Sequence, residues 1–139
     1  MQIRELDLKE LFTAYEVLSE LRTDLSYDEF EDLIYDMKHM EYKMVGLLEN
    51  NKLITYAGVA IQTNLYHKRH LYIFDLVTLK NFRTQGYGQK MLEYLEDYAR
   101  IGMCTNIVLS SGFSREKAHL FYESNGFNKK SYIFLKSIQ

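Results

Sequence analysis

The chain has 139 residues, room for one domain of ordinary size. Hydrophobic residues make up 47% and charged residues 26%, a globular balance that excludes a disordered chain. The formal charge of −2 excludes a bulk nucleic-acid binder, the single cysteine excludes a disulfide framework or a cysteine-based zinc site, and no apolar run approaches the ~18 residues of a membrane span.

The N-terminus is charged and carries no signal-peptide core, so a cytoplasmic protein is expected, bound to neither membrane nor nucleic acid. No linker, repeat or low-complexity tract divides the chain, and residues 1–139 read as a single domain. Met1–Glu5 suits a short strand. Leu8, Leu11, Phe12, Tyr15, Leu18 and Leu21 recur at helical spacing, which predicts an amphipathic helix from Asp7 to Arg22. Ser26 and Glu29 fit a capping box, opening a second helix with Phe30, Leu33, Ile34 and Met37 on its buried stripe.

After Met40 the sequence turns aromatic and β-branched. Tyr42–Leu48 and Leu53–Thr63 read as two strands joined by a tight turn at Asn50-Asn51. Gly58 weakens the second strand unless something must approach the backbone there. His67-Lys68-Arg69 reads as a polar turn before a third strand, Leu71–Leu79. The stretch from Asn81 to Gly88 then leads into a long helix closed by Gly102 as its C-cap. A short strand at Ile107–Leu109, a helix at Glu116–Ser124 ended by Asn125-Gly126, and a last strand at Ser131–Lys136 complete the order β-α-α-β-β-β-α-β-α-β. That order is a mixed α/β (α+β) domain around a central sheet.

The strand, Gly-rich turn and helix from Leu71 to Arg100 carry the chemical signal. A helix start offers unpaired N–H groups and partial positive charge, and glycines let an anion come close to them. Arg83 adds a cation, so the expected ligand is a phosphate or pyrophosphate. A nucleotide P-loop is absent because Gly-Lys-Ser/Thr is absent, and Met91 stands where a dinucleotide fingerprint needs its third glycine.

Asp75-Leu76-Val77-Thr78 followed by Arg83-x-x-Gly86-x-Gly88 resembles the acyl-CoA-binding core of the GNAT superfamily of N-acetyltransferases. Ser111-Gly112-Phe113, then Arg115, Ala118, His119, Phe121, Tyr122 and Gly126-Phe127, is similar to the segment that closes the CoA site in many members. The resemblance covers about Leu71 to Phe127, with Lys80 and Arg115 departing from the residues many members carry. It implies a twisted mixed sheet splayed beside the strand that ends in Thr78. Acetyl-CoA is the implied cosubstrate, with no metal. Its pantetheine arm would pair with backbone groups of Leu76, Val77 and Thr78, as an added strand would. Arg83 and the amides of Thr84, Gln85, Gly86, Tyr87, Gly88 and Gln89 would hold the pyrophosphate, and Phe121 lies in the closing segment. Many members pair as dimers, so the resemblance admits a homodimer.

The implied reaction is direct transfer of an acetyl group to a primary amine of a small molecule or peptide. Tyr122 matches the family's general-acid tyrosine. Asp75 is the only acidic residue between Asn50 and Lys90, and it is the candidate proton acceptor or anchor for a cationic substrate. The competing reading of Asp75 is a structural pairing with a cation or backbone. In a regular strand Asp75 and Tyr72 face opposite sides, unless a bulge alters the parity. Cys104 reads as a packed thiol rather than an acyl carrier, and the four histidines show no metal spacing. The Glu16–Asp36 segment holds eight carboxylates against one base, Arg22. It would either attract a cationic acceptor or serve as a solvated helix face. The alternative to an enzyme is a non-catalytic acyl-CoA-binding sensor or interaction domain.

Overall fold

The computed structural model describes all of residues 1–139, which form two compact units, Met1–Leu109 and Ser110–Gln139. The first unit is built on a five-stranded sheet in the order β1-β2-β3-β4-β5: Gln2–Glu5, Lys43–Glu49, Lys52–Asn64, Lys68–Thr78 and Asn106–Leu109. All neighbours are antiparallel except β4 and β5, which are parallel and joined through a helix. Asn50 and Asn51 both take left-handed backbone angles, φ 52° and 64°, as a two-residue hairpin of this twist requires.

The helix expected from Asp7 to Arg22 is shorter. Asp7 and Glu10 form a capping box around a 3-10 turn, and α1 runs from Leu11 to Leu18. Its end is a tightened turn in which the Leu18 carbonyl accepts from both Leu21 and Arg22. Leu21 and Arg22 therefore leave the helix axis, although their spacing fits it. The second helix, α2, spans Tyr27–Met37, with the capping box between Ser26 and Glu29 in place.

α1 and α2 lie against one face of the sheet. Leu11, Ala14, Leu18, Phe30 and Ile34 join Tyr42, Met44, Tyr56 and Val77 in a single buried cluster. Burial of each large apolar side chain contributes about 1.5–3 kcal/mol. The long helix, α3, spans Tyr87–Ile101 and packs on β3, β4 and β5 through buried Met91, Leu92, Leu95 and Ala99. Gly102 caps it as expected, but the left-handed residue is Met103, φ 61°. A Cβ on Gly102 would stand 2.5 Å from Ile61 Cδ1, so a larger residue there would push the end of that side chain aside.

β4 begins earlier than its apolar residues suggest. Asn64 Oδ1 accepts from the His67 amide and sets a turn at residues 65–67, so Lys68 and Arg69 already belong to the ladder. Further along, Gly58 pairs with Asp75 while Val59 pairs with Ile73, so Phe74 is an extra residue, a β-bulge. Tyr72 pairs with Ala60, which shares a face of β3 with Gly58. The bulge thus puts Tyr72 and Asp75 on the same face. The Phe74 ring follows them, 4.7 Å from the Tyr72 ring and 5.6 Å from that of Tyr42.

In the second unit α4 spans Glu116–Ser124, and Gly126 follows it at φ 91°. His119 Nε2–H donates to the Gly112 carbonyl at 2.8 Å, so that histidine braces its own segment. The strand expected at Ser131–Lys136 does not form. Tyr132, Ile133, Phe134 and Leu135 are exposed, and no ladder includes them. β propensity is expressed only where a neighbouring backbone takes up the strand's N–H and C=O groups.

Candidate active site

The segment after β4 turns twice before α3 begins. Lys80–Phe82 form a 3-10 turn, Thr84 sits at φ 63° and Gly86 at φ 87°. The result is an open run of donors. The amides of Thr84, Gln85 and Gly86, and those of Tyr87, Gly88 and Gln89 in the first turn of α3, give no hydrogen bond to another protein group. Lys90 is the first to donate, to the Gly86 carbonyl. Such a run at a helix start, with its partial positive charge, suits a diphosphate.

Arg83 is fixed beside this run. Its Nε donates to the Thr78 carbonyl at 2.8 Å, and a terminal nitrogen lies 3.3 Å from Glu20 Oε1. The same Glu20 oxygen accepts from the Lys80 amide at 2.8 Å. Glu20 therefore ties the end of α1 to the start of the loop, a role the sequence does not announce across 60 residues.

The β5 side of β4 is open beyond Ile73. β5 pairs only with His70–Ile73, so from Phe74 to Thr78 the β5 side of β4 has no strand partner. Leu76, Val77 and Thr78 pair with β3 on the other side, and the Thr78 hydroxyl bonds that of Thr55 at 2.9 Å.

Asp75 stands in a polar cluster within an apolar wall. Its Oδ1 accepts from Arg22 Nε at 2.9 Å and its Oδ2 from the Tyr42 hydroxyl at 2.9 Å. Arg22 also donates to the Phe74 carbonyl at 2.9 Å. Because the one proton of Tyr42 goes to Asp75, the Tyr56 hydroxyl, 2.7 Å away, is the donor to Tyr42. Burial pushes both phenols well above their usual range, so they remain neutral donors. Tyr42 reaches Asp75 only because Gly58 has no side chain: a Cβ there would overlap the Tyr42 hydroxyl and Cζ. The interruption at Gly58 was visible in the sequence. Tyr42, Tyr56 and Arg22 were not singled out, since the bulge that gathers them leaves no local signature.

Beside this cluster lies a cavity of about 570 Å³, walled by α1, α2, their connection and β4, with both Arg22 and Asp75 on its lining. Asp24 lines it too, whereas Asp28, Asp32 and Asp36 are exposed and outside it. In the second unit, Phe121 and Tyr122 lie together on α4, their rings 5.6 Å apart, and the Tyr122 ring meets Phe127 edge-on at 5.6 Å. Burial raises the Cys104 thiol above its usual value, the opposite of what a nucleophile needs. No three His, Cys, Asp or Glu side chains gather as a metal-holding group, and no helix is long and apolar enough to cross a membrane.

The family model "Acetyltransferase (GNAT) family" matches residues 5–127. An uncharacterized N-acetyltransferase, YhdJ, of Bacillus subtilis is 33% identical, with 99% of each chain covered. An aminoalkylphosphonate N-acetyltransferase of Salmonella typhimurium is 25% identical over 99% of this chain and 91% of its own. Among solved structures, the aminoglycoside N-acetyltransferase AAC(6')-Iy in complex with CoA superposes with a TM-score of 0.85. It covers 99% of this chain and 95% of its own at 12% identity, a likeness of fold.

Proposed function

The chain belongs to the GNAT family of acetyl-CoA-dependent N-acetyltransferases, and from that premise we propose how its residues divide the work. The observation that carries the reading is the run of unclaimed amides from Thr84 to Gln89 between β4 and α3. These amides hold the diphosphate of acetyl-CoA, with Arg83 alongside. The unpaired edge of β4 at Leu76, Val77 and Thr78 takes the pantetheine arm, and Phe121 belongs to the closing segment. Acetyl-CoA supplies the acetyl group as an activated thioester.

The acceptor is a primary amine of a small molecule or peptide. Its ammonium form is the cation that the acidic Glu16–Asp36 segment attracts. With a pKa near ~10.4, an alkylammonium needs roughly 4–5 kcal/mol to lose its proton at pH 7. Asp75 holds that ammonium and receives the proton or passes it to water. A carboxylate accepts about four hydrogen bonds, and Arg22 and Tyr42 use two. The free amine nitrogen then bonds to the acetyl carbon as the carbon–sulfur bond breaks, and the nitrogen's remaining surplus proton leaves as the amide forms, balancing the proton that the thiolate takes up to become CoA–SH. Tyr122 donates to the departing sulfur. A phenol near ~10 facing a thiol near ~8.5 makes complete proton transfer uphill by roughly 2 kcal/mol, so the hydrogen bond itself does the stabilising. Residues 1–139 act as one catalytic domain in the cytoplasm, and a homodimer is the assembly to look for by sedimentation.

The test is CoA release from acetyl-CoA with pooled cationic, neutral and peptide-like amines. One pool should support turnover. In Tyr122→Phe, kcat should fall at least tenfold with acetyl-CoA affinity unchanged; an unchanged kcat removes Tyr122 from the reaction.

A further inference from the structure

The cavity beside Asp75 has a composition that selects among amines. Its lining is mostly hydrocarbon, with Leu18, Leu25, Phe30, Ile34, Met37 and Phe74 from four segments converging on it. Its volume of about 570 Å³ is that of a pocket for one small molecule. The charged groups on its wall are two carboxylates, Asp24 and Asp75, and one guanidinium, Arg22. Arg22 is already committed, through Nε to Asp75 and through a terminal nitrogen to the Phe74 carbonyl, both at 2.9 Å.

Resting on the acetyltransferase reading above, we propose that the acceptor is a primary amine with a compact apolar body, its ammonium on Asp75 and its hydrocarbon in this cavity. An acceptor bearing a phosphonate or carboxylate would meet two carboxylates against a single guanidinium, which spends two of its five N–H donors on Asp75 and the Phe74 carbonyl. A second ammonium could reach Asp24, but the third charge of a polyamine such as spermidine would stand among leucine, isoleucine and phenylalanine side chains without a partner, which is strongly unfavourable. The carboxylates that give α2 its acidic character point to solvent at Asp28, Asp32 and Asp36, so they offer no further ammonium site within the cavity.

The experiment uses the full chain with acetyl-CoA and measures kcat/KM for linear alkylamines from butylamine to hexylamine, then for spermidine and 2-aminoethylphosphonate. Each added methylene buried should raise kcat/KM about three- to fourfold. Hexylamine should exceed spermidine and 2-aminoethylphosphonate at least tenfold. A flat or falling alkylamine series, or preference for either charged acceptor, overturns the proposal and leaves the acetyltransferase reading standing. Leu33→Arg supplies a second arm, because Leu33 lines the cavity yet is 46% exposed, a position where the fold tolerates charge. It should raise KM for hexylamine at least tenfold with acetyl-CoA affinity unchanged; an unaltered KM refutes the placement. Failure to bind acetyl-CoA would count against the acetyltransferase reading instead. Amide shifts of Phe30, Ile34 and Phe74 on adding hexylamine would then decide the cavity: movement supports it, and none overturns it.

Discussion

Replacing Gly58 by alanine tests whether the Tyr56–Tyr42–Asp75 chain is built as described. The backbone at Gly58 is not left-handed, so alanine meets no conformational barrier, and loss of chain entropy alone would make it stabilising by about 0.5–1 kcal/mol. The steric effect opposes this. The new methyl would overlap the Tyr42 hydroxyl and Cζ and lie 2.8 Å from Cε1. The ring is buried in the core cluster, with 7% of Tyr42 exposed, so displacing it disturbs the packing around it. Overpacking of this kind costs about 1–3 kcal/mol. Displacement of Tyr42 also strips the buried Tyr56 hydroxyl of its partner, about 1–3 kcal/mol more. The net expectation is a loss of about 2–4 kcal/mol, or about 7–14 °C in Tm for a chain of this length. Urea titration followed by circular dichroism measures it. The decisive control is Tyr42→Ala, which removes the obstacle: in that background Gly58→Ala should cost under ~1 kcal/mol. Equal losses in both backgrounds, or no loss in the native one, would refute the steric argument.

Asp75→Asn should lower kcat/KM for the amine at least tenfold and alter the pH profile of turnover, while acetyl-CoA binds as before; unchanged kinetics would remove Asp75 from the reaction. Ser26→Ala removes the side-chain half of a capping box and should destabilise the chain by about 1 kcal/mol in urea titration. Arg4 grips Glu10 through two bonds of 2.8 and 2.9 Å, and these hold the Glu10 carboxyl below its ordinary value. The pair's stabilisation is therefore present above the unfolded carboxylate value of about 4.3 and fades as pH falls through the lower folded value. Glu10→Gln should lower the urea midpoint at pH 7, with the gap narrowing from pH 5 to pH 3; a constant gap would contradict the linkage.

Much of the scaffold is written in short sequence windows. The Ser26–Glu29 box, the Asn50-Asn51 turn and the strand–glycine–helix passage ending in Tyr87 are local devices, set by hydrogen bonds and backbone angles within a few residues. The run of unclaimed amides is legible for the same reason, since Gly86 and the following helix start lie within one turn of chain. Where expectation and structure part, a partner distant in sequence decided. The Asp7–Arg22 periodicity continues past Leu18, yet the chain turns there, and Arg22 goes to Asp75 and Glu20 to Arg83. Ser131–Lys136 has the residues of a strand and no ladder to join.

The sequence by itself determined the order of the elements through β5 and α4, the glycine-bearing turn that opens α3, and the presence of one carboxylate on the key strand. Only the tertiary structure decided what that carboxylate does. A single extra residue, Phe74, turns Asp75 onto the same face as Tyr72, and an absent side chain at Gly58 lets Tyr42 reach it. Strand alternation is a local rule, whereas a bulge is fixed by the register of two strands far apart in sequence, and no window of either strand contains it.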